Sequence, residues 1–91
     1  MYRVPDRVRT TRDHDGGIAL HIDSGHLFRL NPVGALILES LGKGLVEAEI
    51  AKEVAREYSI SEETAITDID EFLKVLEDHH LVQGHQEGRA S

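Results

Sequence analysis

The sequence predicts a small α+β domain in which a three-stranded antiparallel sheet is followed by three helices. Between residues 7 and 30, polar residues alternate with apolar or β-branched ones, and two segments rich in Asp and Gly interrupt the pattern. Such a pattern is typical of a β-meander. Between residues 32 and 78, apolar residues recur every three or four positions, as they do on amphipathic helices. A chain of 91 residues suits one such domain.

Two turns divide the first third of the chain into three predicted strands. These strands cover residues 7–12, a segment that begins at Ile18, and His26–Leu30. In the middle strand Ile18, Leu20 and Ile22 fall at period two, so one face of this strand is predicted to be apolar. The residues between them, Ala19 and His21, form a mixed face.

Three helices are predicted to follow the strands. They are expected from Pro32 to the segment Gly42–Gly44, from about Leu45 to Tyr58, and from the residue after Ser61 to about Asp78. Asn31 is a good N-cap for the first helix, and Pro32 suits its first position. Ser61 is a second candidate N-cap, with Glu62 and Glu63 at the positive end of the helix dipole.

One folded domain is predicted over residues 1–82, followed by a flexible tail over residues 83–91. The pair Leu81–Val82 is apolar and is expected to pack back on the core or to add an edge strand. The chain has no Cys, so stability must come from packing rather than from disulfides. The N-terminal residues lack the apolar segment of a secretory signal. We therefore expect a soluble cytoplasmic protein.

The residue pattern offers no catalytic, nucleotide or metal site. Six His are present, but none of them are spaced as a pair on one helical face, so no bound metal is expected. The serines lack the strand-to-helix elbow of a hydrolase. The glycines form neither a dinucleotide-binding nor a phosphate-binding motif. The sequence therefore predicts a non-enzymatic protein without a cofactor. A small enzyme that uses paired carboxylates among Asp68, Asp70, Glu71, Glu77 and Asp78 is the remaining alternative, although an acidic, solvated helix face explains these residues as well.

The charge balance disfavours nucleic acid as a partner. The formal net charge is −7, which repels a phosphate backbone. Three strands followed by three helices resemble a winged helix-turn-helix module, whose recognition helix would be the third one. That helix carries many carboxylates between Glu62 and Asp78 and only one basic residue, Lys74. A winged-helix DNA-binding regulator is kept as an alternative. A membrane partner is not expected, because no apolar stretch is long enough to span a bilayer.

The last strand of a meander lies at a sheet edge, where unpaired backbone groups accept an extended peptide by strand addition. The strand His26–Leu30 is the candidate edge. Specificity would come from pockets between this strand and the third helix. From the pattern alone Phe28 is interpreted as a core residue, whereas Phe72 fits a core role and a contact role equally well.

Two segments of the sequence carry a resemblance to a known family. They are DSGHLFRLNPVGA, from Asp23 to Ala35, and DIDEFL, from Asp68 to Leu73. Both resemble the PqqD-like leader-peptide recognition elements, also called RiPP recognition elements, and the likeness extends over about residues 3–82. Members of that family bind the N-terminal leader of ribosomally synthesised, post-translationally modified peptides and present the remainder to modifying enzymes.

The resemblance implies that a leader peptide docks as an added strand against the third strand and packs on the third helix. It assigns the groove to the following residues: His26, Leu27, Phe28, Arg29, Ile69, Phe72, Leu73 and Leu76. Asp68 would meet a polar or basic group of the guest.

Within the family, the sequence is most similar to the standalone leader-binding proteins of lasso-peptide biosynthesis. The resemblance implies a precursor leader peptide as partner, with a separate cysteine-protease-like leader peptidase and an ATP-dependent cyclase that do the chemistry in a bacterial cytoplasm. A peptide chaperone for a radical enzyme, as in pyrroloquinoline-quinone synthesis, is the alternative within the same family.

Overall fold

The structure, a computed structural model, describes residues 2–84. Its elements in chain order are β1 Tyr2–Arg3, β2 Val8–Asp13, β3 Gly16–His21, β4 His26–Leu30, α1 Pro32–Gly42, α2 Glu47–Tyr58, α3 Glu62–Asp78 and β5 Gln83–Gly84. Strands β2, β3 and β4 form one antiparallel sheet in that order. The predicted α+β fold, a three-stranded sheet followed by three helices, is confirmed.

Strand β3 lies in the middle of the sheet, so β2 and β4 form its two edges. The register pairs Thr10 with Ala19 and Ala19 with Phe28 across the three strands. These three residues share the face of the sheet that packs against the helices, which we call the inner face. Ala19 is fully buried at its centre.

The inner face is covered closely by α1. A Cβ atom placed on Gly17 would lie 3.0 Å from the Cβ atom of Ala35, and Ala35 is buried in α1. This distance is shorter than an ordinary contact between carbon atoms. The sheet and α1 therefore meet through small residues, Gly17 and Ala19 on β3 and Ala35 on the helix.

The apolar residues of β3 face away from the helices. Ile18, Leu20 and Ile22 alternate with the inner-face residues, and Ile18 and Ile22 are exposed. The sequence shows their shared face correctly, but alternation alone would place that face in the core. The close approach of α1 reverses this assignment, because the space above Gly17 and Ala19 admits no large side chain.

The helix starts follow the capping residues. Asn31 Oδ1 accepts a hydrogen bond from Gly34 N–H at 2.7 Å, and Ser61 Oγ accepts one from Thr64 N–H at 3.1 Å. Both side chains satisfy a backbone donor that has no partner within the helix. The predicted caps of α1 and α3 are therefore confirmed, while α2 begins at Glu47, two residues later than predicted.

The end of α3 returns the chain to the core. His80 adopts a left-handed conformation with φ 63°, and its N–H donates to Glu77 O at 3.0 Å. Leu81 N–H donates to Leu76 O at 2.9 Å, which completes a Schellman turn. Leu81 and Val82 follow this turn into the core and are buried, so the predicted packing of this pair is confirmed.

The two ends of the described chain form a second, two-stranded sheet. Tyr2 pairs with Gly84 and Arg3 with Gln83. Residues 83 and 84 of the expected tail thus pair with the N-terminal strand, and the rest of that tail, residues 85–91, lies outside the described residues. Within residues 2–84, no helix is both long and apolar enough to cross a membrane.

Candidate functional site

The backbone of β4 leaves the N–H and C=O groups of two residues without a partner strand at the sheet edge. Ile22 N–H donates to Arg7 O at 2.9 Å, so the backbone groups of Ile22 point toward the β2 side of the sheet. Along a central antiparallel strand, successive residues form hydrogen bonds alternately to one neighbouring strand and to the other. Ile22 and the even-numbered residues of β3 therefore bond to β2, and the odd-numbered residues bond to β4. In that register His26, Phe28 and Leu30 form the hydrogen-bonded pairs with β3, and Leu27 and Arg29 form the non-hydrogen-bonded pairs. The N–H and C=O groups of Leu27 and Arg29 point to the open edge.

The side chains of β4 divide between the two faces of the sheet. Leu27 and Arg29 lie on the face opposite the helices, which we call the outer face, and Leu27 is 64% exposed. His26 and Phe28 lie on the inner face, where His26 is exposed and Phe28 is half-buried. A strand added at this edge would also alternate between the faces, so both pairs of side chains are available to it.

Phe28 lies between two imidazole rings. Its ring centroid is 6.1 Å from that of His26, with the rings nearly perpendicular, and 5.2 Å from that of His79, with the rings tilted. These distances are within the range of favourable aromatic contacts. His79 follows the last turn of α3. Phe28 therefore connects β4 to the C-terminal end of α3, in addition to packing against the core.

One stripe of α3 continues this contact along the helix. Asp68, Phe72, Val75 and His79 are spaced by three or four residues, so they lie on one face of α3. Val75 is 53% exposed, and Phe72 is half-buried. Together with Phe28 these four residues form a surface beside β4, which we call the groove. It has an apolar floor, an exposed imidazole at one end and a carboxylate at the other.

Phe72 is seated on the first turn of α1. A Cβ atom added to Gly34 would lie 2.8 Å from Phe72 Cζ, a separation that real Cβ atoms do not tolerate. Asn31 holds this turn through its bond to Gly34 N–H. The Asn-Pro-Val-Gly run after β4 therefore does two things: it starts α1 and leaves space for the ring of Phe72.

Three of the predicted contact residues lie beneath the groove rather than in it. Ile69 and Leu73 are 0% exposed, and Leu76 is 4% exposed. Their stripe of α3 faces the core, one position away from the stripe that carries Phe72. In this conformation these side chains are not accessible to a peptide. They pack in the core beneath the groove residues.

Three residues of the site were missed by the sequence interpretation. Val75 and His79 follow Phe72 at helical spacing, which could have placed both beside it. Gly34 belongs to the family motif, and its low helix propensity in the first turn of a helix is a further signal that points to a packing role. Among residues 2–84, no three His, Asp or Glu side chains cluster as metal ligands do.

The fold and the groove define a class of small winged-helix-like α+β domain whose sheet has one edge open beside its last helix. The family model of coenzyme PQQ synthesis protein D (PqqD) matches residues 16–82. The chain therefore belongs to the PqqD family. This membership confirms the resemblance to PqqD-like leader-peptide recognition elements.

Two solved structures are similar to this fold over nearly their whole length. One is TbiB1 in complex with the TbiA(beta) leader peptide, at 29% identity and a TM-score of 0.84, covering 93% of this chain and 99% of that one. The other is lasso peptide synthetase B1 complexed with the leader peptide, at 24% identity and a TM-score of 0.80, covering 91% and 98%. The second likeness supports the fold alone. No curated protein sequence matches the chain.

Proposed function

We propose that this protein binds the leader segment of a ribosomally synthesised precursor peptide as a fourth strand on β4. The observation that carries the proposal is the open backbone of Leu27 and Arg29 beside the groove. Two residues with free N–H and C=O groups supply four hydrogen bonds to an extended guest. Such bonds give affinity to a guest of any sequence, and the pockets beside them select its side chains.

The second sheet edge is less suited to a guest strand. On β2 the N–H of Val8 already donates to Pro5 O at 3.1 Å. The guanidinium of Arg12 forms an ion pair with Glu39, with Arg12 Nη1 2.5 Å from Glu39 Oε1. Charged side chains on an edge strand discourage strand addition. Strand β2 also has polar, exposed residues after Val8, whereas β4 has an apolar groove beside it. These differences favour β4 over β2.

Side-chain selection would use both faces of the added strand. Guest residues that face the helices would meet the groove, with Phe28, Phe72 and Val75 as its apolar floor and His26 and His79 at one end. Guest residues that face outward would lie beside Leu27 and Arg29. Asp68 is placed to meet a polar or basic guest group. We expect Ile69, Leu73 and Leu76 to act on binding only through the shape of the groove.

The comparison with the TbiB1 complex supports this function, because that protein holds a leader peptide on a very similar fold. We propose that the bound precursor is then delivered to a separate leader peptidase, and that a cyclase completes a lasso peptide. In this division of labour the chain binds and presents, and the partner enzymes do the chemistry. Precursors made on ribosomes would meet it in the bacterial cytoplasm.

A titration tests this proposal directly. A fluorescently labelled leader peptide from the same gene cluster is titrated with the protein, and anisotropy reports binding. We expect saturable binding below tens of micromolar, which corresponds to a binding free energy of about −6 to −8 kcal/mol. A peptide with the same composition in scrambled order is the control. No binding of the true leader at tens of micromolar would contradict the proposal.

A further inference from the structure

The outer face of the sheet carries a patch of apolar side chains that the fold itself leaves uncovered. Leu20 of β3 pairs with Leu27 of β4 on this face, and Ile18 lies in the neighbouring row. Ile18 is 40% exposed, and Ile22, which follows Leu20 on the same face just after β3, is 46% exposed. Contiguous apolar side chains on a small sheet are typical of surfaces that meet another molecule.

Two arginines border this patch at opposite corners. Arg9 lies in the row of Leu20 and Leu27, at the β2 end, and Arg29 lies in the row of Ile18, at the β4 end. With strands about 4.8 Å apart and about 3.4 Å per residue, their Cα atoms are about 12 Å apart. Within residues 2–84, neither arginine forms an ion pair.

The charge of this face differs from that of the whole chain. Arg7, at the margin of the face, forms an ion pair with Asp23, with Arg7 Nη1 2.5 Å from Asp23 Oδ2. Among residues 2–84, Arg9, Arg29 and the carboxylate of Asp13, which lies on the same face at the β2–β3 turn, form no ion pair, so two positive charges face one negative charge. The chain as a whole has a formal charge of −7. A complementary partner surface would therefore present apolar side chains between two carboxylates.

Other occupants fit this face less well. A second copy of the chain, packed face to face, would bring together the four arginines Arg9 and Arg29 of both copies, with only the two carboxylates of Asp13 to meet them. Nucleic acid would be attracted by two arginines only and repelled by the rest of the molecule. A protein surface with a few carboxylates is favoured because it satisfies the arginines and covers the apolar side chains.

The position of the face points to which protein this is. A leader bound on β4 would extend the same sheet, so its outward side chains would lie next to Leu27 and Arg29. We propose that the outer face docks the enzyme that processes the bound precursor, through a surface of that enzyme with apolar side chains flanked by carboxylates. This inference rests on the proposed leader-binding function. An enzyme seated there would contact both the sheet and the guest strand.

The test separates enzyme docking from leader binding. The affinity of the leader peptidase encoded with the precursor is measured for the leader-loaded protein by biolayer interferometry. The variant carries Arg9→Glu and Ile18→Thr, both exposed and neither on β4, the strand that would receive the leader. We expect the peptidase to bind this variant at least about tenfold more weakly. The affinity for the leader peptide, measured separately by anisotropy, should stay within about twofold of the wild type.

A matched control makes the same chemical changes elsewhere. Lys52→Glu and Ile66→Thr alter one exposed charge and one exposed isoleucine on α2 and α3, and this variant should bind the peptidase as the wild type does. Unchanged peptidase affinity of the Arg9→Glu, Ile18→Thr variant would overturn the docking proposal alone. A wild-type dimer that this variant dissociates would also overturn it, because a second copy would then cover the face. Failure of the wild type to bind the leader would instead overturn the proposed function.

Discussion

The ring tip of Phe72 rests on Gly34, so closely that a Cβ atom at position 34 would lie 2.8 Å from Phe72 Cζ. This contact joins α3 to the first turn of α1, immediately after the strand that offers the open edge. This contact sets the position of the Phe72 ring, because the backbone of Gly34 prevents the ring from moving closer to α1. A side chain at position 34 would displace the ring toward the groove.

Substitution of Gly34 by Ala tests this relationship. The added methyl group pushes the ring of Phe72 into the groove, and we expect leader affinity to fall at least about fivefold. Overpacking of this kind costs about 1–3 kcal/mol, which offsets the gain of about 1 kcal/mol in helix propensity. Gly42→Ala is the control at the other end of α1, where an added Cβ meets nothing within 4 Å. It should stabilise the fold and leave leader affinity unchanged, as urea unfolding and anisotropy would measure.

Phe72 itself should matter more for binding than for folding. The ring of Phe72 is only half-buried. Phe72→Ala should therefore lower the free energy of unfolding by less than a fully buried Phe→Ala substitution does, which is about 3–5 kcal/mol. Leader binding should weaken by about tenfold or more, since aromatic residues in pockets dominate peptide affinity. Ile66→Ala, at an exposed position of the same helix, provides the comparison. Equal leader affinity of the two variants would show that the guest does not use the groove.

Proline substitutions distinguish the two hydrogen-bonding directions of β4. Leu27→Pro removes an N–H that points to the open edge, so the fold should survive while leader binding is lost or much reduced. Phe28→Pro removes an N–H that bonds to β3, and this variant should be unfolded or severely destabilised. Circular dichroism and anisotropy measure the two effects. A folded Leu27→Pro variant that binds the leader normally would place the guest elsewhere.

The packing of Tyr2 in the short sheet between β1 and β5 predicts how the stability of the protein changes at alkaline pH. Burial, followed by the charge of Glu77, raises the pKa of Tyr2 above its ordinary value of 10.0. The folded state then holds the phenolic proton more tightly than the unfolded state does. This contribution to stability is fully present below pH 10.0 and is lost as the pH rises through the pKa of the folded state. Tyr2→Phe should therefore lose less stability than the wild type as the pH is raised above 10.0 in urea titrations. An identical loss in both proteins would contradict this packing of Tyr2.

The sequence was sufficient to predict the features that depend on local signals. The bounds of β4, the caps Asn31 and Ser61, and the return of Leu81 and Val82 to the core all follow from turn residues, capping residues and short apolar runs. Each of these signals acts within a few residues of the feature that it specifies, so no knowledge of the tertiary packing is needed.

The features that depend on packing were harder to predict. Ile18 and Leu20 carry the stronger apolar signal on β3, yet Gly17 and Ala19 face α1, because only small residues admit the helix so closely. On α3, the core stripe with Leu73 and the groove stripe with Phe72 lie side by side. Helical periodicity finds both stripes but cannot tell which of them faces the open edge.

The most direct test of strand addition is amide hydrogen exchange, measured residue by residue by NMR with and without the leader peptide. The amides of Leu27 and Arg29 point to the open edge, so we predict that they exchange rapidly in the free protein and become protected when the leader is bound. Phe28, which bonds to β3, should be protected in both states. Leader binding that leaves Leu27 and Arg29 unprotected, or that protects amides of β2 instead, would contradict the account.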